Sequence, residues 1–121
     1  MTQIPNNKQA GYDLEERTFR FARKINEYVK KLPRTVANLE TGKQLVRSAG
    51  SVGANYIEAN ESLSKKDFRM RIKISKKEAK ESRYWLRLTE PLEENLSEQE
   101  DLIDEAIQFA KIFGAIAEKS K

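Results

Sequence analysis

The chain contains no cysteine and no histidine. Their absence excludes disulfides, thiolate nucleophiles, the common kinds of zinc site and every mechanism built on an imidazole. Carboxylates alone can hold a metal, but only as a cluster of inward-facing acids, and the sequence pattern places no such cluster. Many classes of enzyme are therefore excluded, and we expect no metal, no cofactor and no small-molecule substrate.

Glycine and proline are also scarce, with 5 and 3 residues among 121, whereas 35% of the residues are charged. This composition favours helices over turns, and the length fits one domain. The longest run without a charge, Ser48 to Ile57, is too short to cross a membrane, so no membrane partner is expected. Residues 1–11 lack the pattern of a signal peptide, and we interpret them as a disordered polar tail of a cytoplasmic protein.

Apolar residues recur at helical spacing through residues 12–121, which we interpret as a single domain of four helices. Short connections between the helices favour an antiparallel up-and-down four-helix bundle. The predicted helices run from about Tyr12 to Leu32, from an ambiguous start to about Ser62, from the cap Ser64 to about Thr89, and from a capping box of Ser97 and Glu100 to the C-terminus.

Two glycines stand inside the second predicted helix, at Gly50 and Gly53. A glycine costs a helix interior about 1 kcal/mol relative to alanine. We therefore expect a neighbouring backbone to come very close to the helix at both positions.

The third predicted helix separates into three sides at 100° per residue. A narrow seam of large and small residues should face the core: Phe68, Ile72, Ser75, Ala79, Ser82 and Leu86. The opposite side carries seven cations and no acid, here called the basic stripe: Arg69, Lys73, Lys76, Lys77, Lys80, Arg83 and Arg87. The stripe is about 27 Å long at 1.5 Å per residue, which is enough to follow several phosphates of a nucleic acid.

Three interpretations of the basic stripe remain open: a solvated structural face, a phosphate-binding surface and a regulatory contact with another protein. Residues 65–87 hold ten basic and three acidic residues, net +7, whereas residues 88–107 hold eight acidic and no basic residues, net −8. The acidic fourth helix can therefore lie beside the basic third and neutralise it, as a solvated structural face. The stripe can instead bind phosphates, because like charges at spacings of three and four residues destabilise a helix and need a reason.

The remaining side of the third helix is apolar, and we call it the apolar flank: Met70, Ile74, Trp85 and Leu88. It carries more apolar surface than the outer helix of a monomer normally exposes, so we interpret it as an oligomer interface. Packing inside the same bundle is the alternative. In the second helix, Asn55 and Glu58 fit a structural polar network rather than a catalytic acid.

Three stretches carry a resemblance to a known family: QLVRSAGSVGANYIEANE at 44–61, SKKDF at 64–68 and KKEAKESRYWL at 76–86. They closely resemble the bacterial four helix bundle proteins encoded in intervening sequences of 23S ribosomal RNA genes, which are related to the accessory subunit of diversity-generating retroelements. The opening residues 13–19, DLEERTF, also fit. The resemblance implies an up-and-down bundle in a ring-like homopentamer, without enzymatic activity, and with nucleic-acid binding inferred for some relatives.

Two functional hypotheses follow. The first is a non-enzymatic oligomer that binds RNA or DNA through the basic stripe, without base specificity and with steep salt dependence. The second is an assembly or adaptor protein, in which the basic helix pairs with the acidic helix of its own or a neighbouring subunit or with a protein partner.

Overall fold

The computed structural model describes the backbone of residues 5–121 and the side chains of residues 13–121. Within this part of the chain there are helices and no strand, so the predicted all-α class is confirmed. A short 3₁₀ turn, Glu93–Asn95, precedes the last helix. The four α-helices are α1 (Pro5–Lys30), α2 (Val36–Asn60), α3 (Lys65–Leu88) and α4 (Leu96–Lys119).

Consecutive helices run in opposite directions. Ser75 of α3 donates to the carbonyl of Val52 in α2 at 2.9 Å. Two turns later in α3, the hydroxyl of Ser82 forms a hydrogen bond with that of Ser48, which lies one turn earlier in α2. Similar reversed pairs join α1 to α2 and α3 to α4. The helices therefore pack as the up-and-down bundle that the short connections predict.

Side chains cap two of the helices as expected from their residue types. The hydroxyl of Thr35 accepts from the backbone N–H of Asn38 at 3.0 Å, and that of Ser64 accepts from Asp67 at 3.1 Å. The predicted capping box of Ser97 and Glu100 is wrong, because α4 begins at Leu96. The 3₁₀ turn already leads the chain into the helix, so Ser97 lies inside the first turn rather than before it.

The start of α1 differs from the sequence pattern. The helix is described from Pro5, seven residues before the predicted start at Tyr12. Residues 5–11 of the predicted disordered tail (residues 1–11) are thus helical, whereas residues 1–4 lie outside the described residues and their disorder stays a prediction.

The core is continuous along all four helices. The rings of Phe21 and Phe109 pack edge to face with centroids 5.3 Å apart, and Phe109 stacks in turn on Phe113. The seam predicted for α3 lies in this core, with Ile72 and Leu86 fully buried and Phe68 partly so. Each such side chain contributes about 1.5–3 kcal/mol through burial.

Gly50 and Gly53 of α2 have different surroundings. A methyl group at Gly53 would lie 2.7 Å from the hydroxyl oxygen of Thr18 in α1, so the predicted close approach is confirmed there. A methyl group at Gly50 would meet no described atom within 4 Å. The expectation was wrong at Gly50, because Gly50 lies on an exposed side of α2 that no neighbouring helix covers.

Candidate nucleic-acid interface

α3 lies between α2 and α4, so only one of its sides faces outward. Five cations of the basic stripe are exposed, whereas Arg69 and Lys76 are half-buried at the edge next to α4. No cation of the stripe lies within 4.0 Å of a carboxylate among the described side chains. The exposed members are Lys73, Lys77, Lys80, Arg83 and Arg87.

Two acids in the first half of α4 form ion pairs with α1 or with the residue directly after it, not with α3. Glu105 accepts two hydrogen bonds of 2.8 Å from Arg17, and Glu98 accepts one of 2.7 Å from Lys31. The hydrogen bond to Glu105 raises the pKa of Arg17 above its ordinary value, although partial burial acts in the opposite direction. α4 does pack beside α3, but its ion pairs leave the basic stripe free.

Two of the three acids of α3, Glu78 and Glu81, form ion pairs on the other side of the helix. Arg47 of α2 lies 3.4 Å from Glu78 and 3.2 Å from Glu81. Glu78 is the more buried of the two, with 9% of its side chain exposed. The negative charges of α3 thus face α2, opposite the basic stripe.

Two stripe residues have structural contacts with α4. The guanidinium of Arg69 donates at 3.1 Å to the carbonyl of Ala117 in the last turn of α4, which also accepts from the N–H of Ser120. The alkyl chain of Lys76 lies over Gly114, 3.5 Å from where a methyl group would be. Arg69 therefore serves the fold, which leaves six cations of the stripe available for a ligand.

A groove runs between α3 and α4 beside the stripe, and we call it the α3–α4 groove. Its volume is about 330 Å³. Small residues of α4 form its floor and long cations its walls, including Lys111 on the α4 side. The lining is Lys76, Lys80, Arg83, Ala106, Ile107, Ala110, Lys111 and Gly114.

The apolar flank divides between the surface and the core. Met70 and Leu88 are 50% and 47% exposed. Ile74 and Trp85 are half-buried, and Trp85 packs against the core with its indole N–H buried and without a partner among the described residues. Tyr84, 56% exposed, packs edge to face on Trp85 and joins the flank to the basic stripe.

The structure does not bring Asn55 and Glu58 together. Asn55 donates to the carbonyl of Ser51 at 2.9 Å and accepts from Arg71 of α3 at 3.1 Å, so it links α2 to α3. Glu58 is exposed, and its carboxylate has no ion pair or hydrogen bond among the described side chains. Of these two residues, Asn55 alone takes part in a polar contact between helices among the described side chains.

Comparison with known proteins places the chain in a family. A model of the family described as 23S rRNA-intervening sequence protein matches residues 12–115. The chain belongs to this family. It is also similar to a crystal structure of a protein with unknown function from the S23 ribosomal protein family of Bacteroides thetaiotaomicron, with 28% identity, 89% of this chain and 97% of that chain covered, and a TM-score of 0.74. No curated protein matches it.

In this member of the 23S rRNA-intervening sequence protein family, sequence reasoning missed a polar cluster at one end of the bundle. The hydroxyls of Tyr28 and Thr89 share a buried hydrogen bond of 2.7 Å, and Gln99 donates to the carbonyl of Thr89. Asn38 donates to the carbonyl of Glu90 and accepts from its N–H. The cluster holds the segment between α3 and α4 in place. In the sequence, the Thr-Glu-Pro stretch at 89–91 was the one feature that indicated a specific structure there.

Sequence reasoning also missed Lys111. It belongs to α4, whose first half is strongly acidic, so it was not grouped with the cations of α3. Its place opposite Lys80 follows from the antiparallel packing, which aligns Lys76 with Gly114. Within the part of the chain that the structure describes, no group of three acidic residues is placed to hold a metal ion, and no helix could span a membrane.

Proposed function

We propose that this chain is a non-enzymatic module that binds the phosphate backbone of RNA or DNA through the basic stripe and acts as a homo-oligomer. The main support is the distribution of ion pairs. Glu105 and Glu98 of α4 and Glu78 of α3 pair with Arg17, Lys31 and Arg47, and no carboxylate among the described side chains lies within 4.0 Å of a stripe cation. A row of unpaired cations on one exposed side of a helix favours a polyanionic ligand.

Self-association would multiply this positive surface. The family resemblance implies a ring-like homopentamer, and the exposed Met70 and Leu88 offer apolar surface for a subunit contact. Several stripes in one assembly would engage one nucleic acid together, which increases the overall affinity without any new contact.

Fluorescence anisotropy with labelled RNA and duplex DNA tests the binding. We expect affinity at about 50 mM salt that falls steeply as salt is added, because cations at phosphates release counterions. Reversing Lys73, Lys80 and Arg83 to glutamate should weaken binding by at least about tenfold and lower the salt slope by about 2–3.

A matched variant controls for net charge. Reversing three exposed cations elsewhere, Lys24, Arg34 and Lys119, lowers the formal net charge from +4 to −2, as the first variant does. This control should retain most of the affinity. Equal losses in both variants would mean that net charge, not the stripe, attracts the ligand.

The second candidate function is an assembly or adaptor role, favoured by the acids of α4 that have no cationic partner among the described side chains, such as Asp101 and Asp104. Here the stripe would meet the acidic helix of another subunit or a protein partner. Absence of RNA and DNA binding at about 50 mM salt would support this role over the first.

Light scattering tests the oligomer separately. Five copies of the 14.0 kDa chain would have a mass of about 70 kDa. Met70→Glu with Leu88→Glu should reduce that mass, because both residues are exposed and their replacement leaves the core intact. Met70→Gln with Leu88→Gln is the neutral companion. An unchanged mass in the charged variant would show that subunits do not meet at the apolar flank.

A further inference from the structure

The α3–α4 groove differs from the rest of the basic stripe because it is apolar inside. Ala106, Ala110 and Gly114 stand one turn apart on α4 and, together with Ile107, form a floor without polar side chains. Lys76, Lys80 and Arg83 line the opposite wall. Phosphates alone would not contact an apolar floor, so the groove indicates a ligand that also has an apolar part.

The size of the groove suits one planar organic group. Its volume of about 330 Å³ is at the small end of the roughly 300–1,000 Å³ range of pockets that hold organic ligands. The alkyl chain of Lys76 covers Gly114 and closes one end, with the ammonium nitrogen 3.6 Å from the position of a methyl group there. The lysine stem thus adds apolar wall and keeps its charge beside the opening.

The charges around the groove favour a long anion rather than an isolated one. Four cations line it, and none lies within 4.0 Å of a carboxylate among the described side chains. The stripe also includes the exposed Lys73, Lys77 and Arg87 outside the groove, and as a whole it extends for about 27 Å. An acidic peptide confined to the groove would leave most cations of the stripe without an anionic partner. The phosphates of a nucleic acid strand would instead pair with cations along the whole stripe.

We propose, building on the function above, that the α3–α4 groove receives an unpaired base of single-stranded nucleic acid while the basic stripe holds the adjoining phosphates. In a duplex the bases are stacked and paired inside, so only the outward cations could reach its backbone. A single strand can turn a base toward an apolar surface, as in other sequence-tolerant single-strand binders. The protein should therefore prefer single strands to duplexes.

The first test uses the unchanged protein. Anisotropy is measured with labelled oligo(dT) of about 15 nucleotides, a duplex of equal length and an abasic strand of equal length, all at about 50 mM salt. We expect the oligo(dT) to bind about tenfold more tightly than the abasic strand and more tightly than the duplex. Equal binding of oligo(dT) and the abasic strand would overturn the role of the base.

The second test fills the groove without changing charge. Ala110→Leu places a larger side chain on its floor, and Ala115→Leu makes the same change at an exposed position of α4 outside the groove. Ala110→Leu should remove the preference for oligo(dT) over the abasic strand and leave duplex binding unchanged. Ala115→Leu should change neither. An Ala110→Leu variant that keeps the preference would place the base elsewhere.

The outcomes separate this proposal from the function on which it depends. Equal binding of single strand and duplex, lost in both when the stripe is reversed, would retain nucleic-acid binding and reject the base site. Absence of all nucleic-acid binding would reject both. Binding of a glutamate- and leucine-rich peptide that Ala110→Leu abolishes, with no such effect on oligo(dT), would assign the groove to a protein partner and overturn the proposal.

Discussion

α3 meets α2 and α4 in contrasting ways. Against α2, the hydroxyls of Ser48, Ser75 and Ser82 are buried and all have hydrogen-bond partners, and Arg47 pairs with acids at the edge. Against α4, an open groove separates small residues from long cations that have no acidic partner within reach. One helix of net positive charge thus has a neutralised side and a free side, so the placement of partners, not net charge, determines what a helix can bind.

The largest expected difference concerns added volume. Ser82→Leu puts a bulky group into the closed contact with α2 and removes a hydrogen bond, and we expect it to cost about 3 kcal/mol of unfolding free energy. Ala110→Leu, in the open groove, should cost less than about 1 kcal/mol. Urea denaturation measures both. Equal costs would mean that the contact with α4 is as tightly packed as that with α2.

A pair of arginine substitutions tests the charges. Arg47→Ala leaves the mostly buried Glu78 without its cation and should destabilise the protein by about 1.5 kcal/mol, between the values for exposed and buried pairs. Arg83→Ala removes a cation that has no acidic partner and should change stability by about 0.5 kcal/mol or less. Thermal unfolding at low and high salt compares them. A larger loss of stability for Arg83→Ala than for Arg47→Ala would contradict the contrast between a neutralised and a free side of α3.

Two glycine substitutions should have opposite signs. At Gly114 a methyl group would make ordinary contacts with the chain of Lys76, so Gly114→Ala should stabilise by about 0.5 kcal/mol through helix propensity. At Gly53 a methyl group would clash with Thr18, so Gly53→Ala should destabilise by about 1 kcal/mol despite the same propensity gain. Denaturant midpoints distinguish the signs. A stabilised Gly53→Ala variant would show that α1 can move away at no cost.

The smallest effect is a loss of stability in alkali. Burial raises the pKa of Tyr28, and its hydrogen bond with Thr89 at the end of α3 acts in the opposite direction. In the unfolded chain this phenol ionises near pH 10, so its contribution is full below about pH 10 and declines above it. Tyr28→Phe should flatten the fall in melting temperature above that pH. An unchanged slope would exclude Tyr28 as its source.

Much of the fold could be predicted because apolar spacing and caps act locally. Ile72 and Leu86 are buried as their spacing requires, and Ser64 caps α3. The capping box at Ser97 failed because the 3₁₀ turn at Glu93–Asn95 leads directly into α4 at Leu96, and local sequence does not decide between this start and a later one. The open surroundings of Gly50 depend on which sides of α2 the neighbouring helices cover, and helical periodicity does not contain that information.

The candidate site was less predictable, since a helical wheel gives the side of a residue but not its neighbour. The seven cations were placed on one side of α3, but the hydrogen bond from Arg69 to Ala117 depends on the register of α3 against α4. The preference of Glu105 for Arg17 of α1 depends likewise on how α4 is rotated. The partial burial of Trp85 in the core depends likewise on how α3 packs against its neighbours.

Trp85 is the single tryptophan of the chain, and its position makes it an optical reporter. The indole is half-buried, packs edge to face on the exposed Tyr84, and belongs to the apolar flank beside the basic stripe. Its fluorescence emission therefore samples the boundary between the two surfaces. A ligand at Tyr84 should quench this emission, whereas association of subunits at Leu88 should shift it to shorter wavelengths, so one spectrum can follow both events without a label.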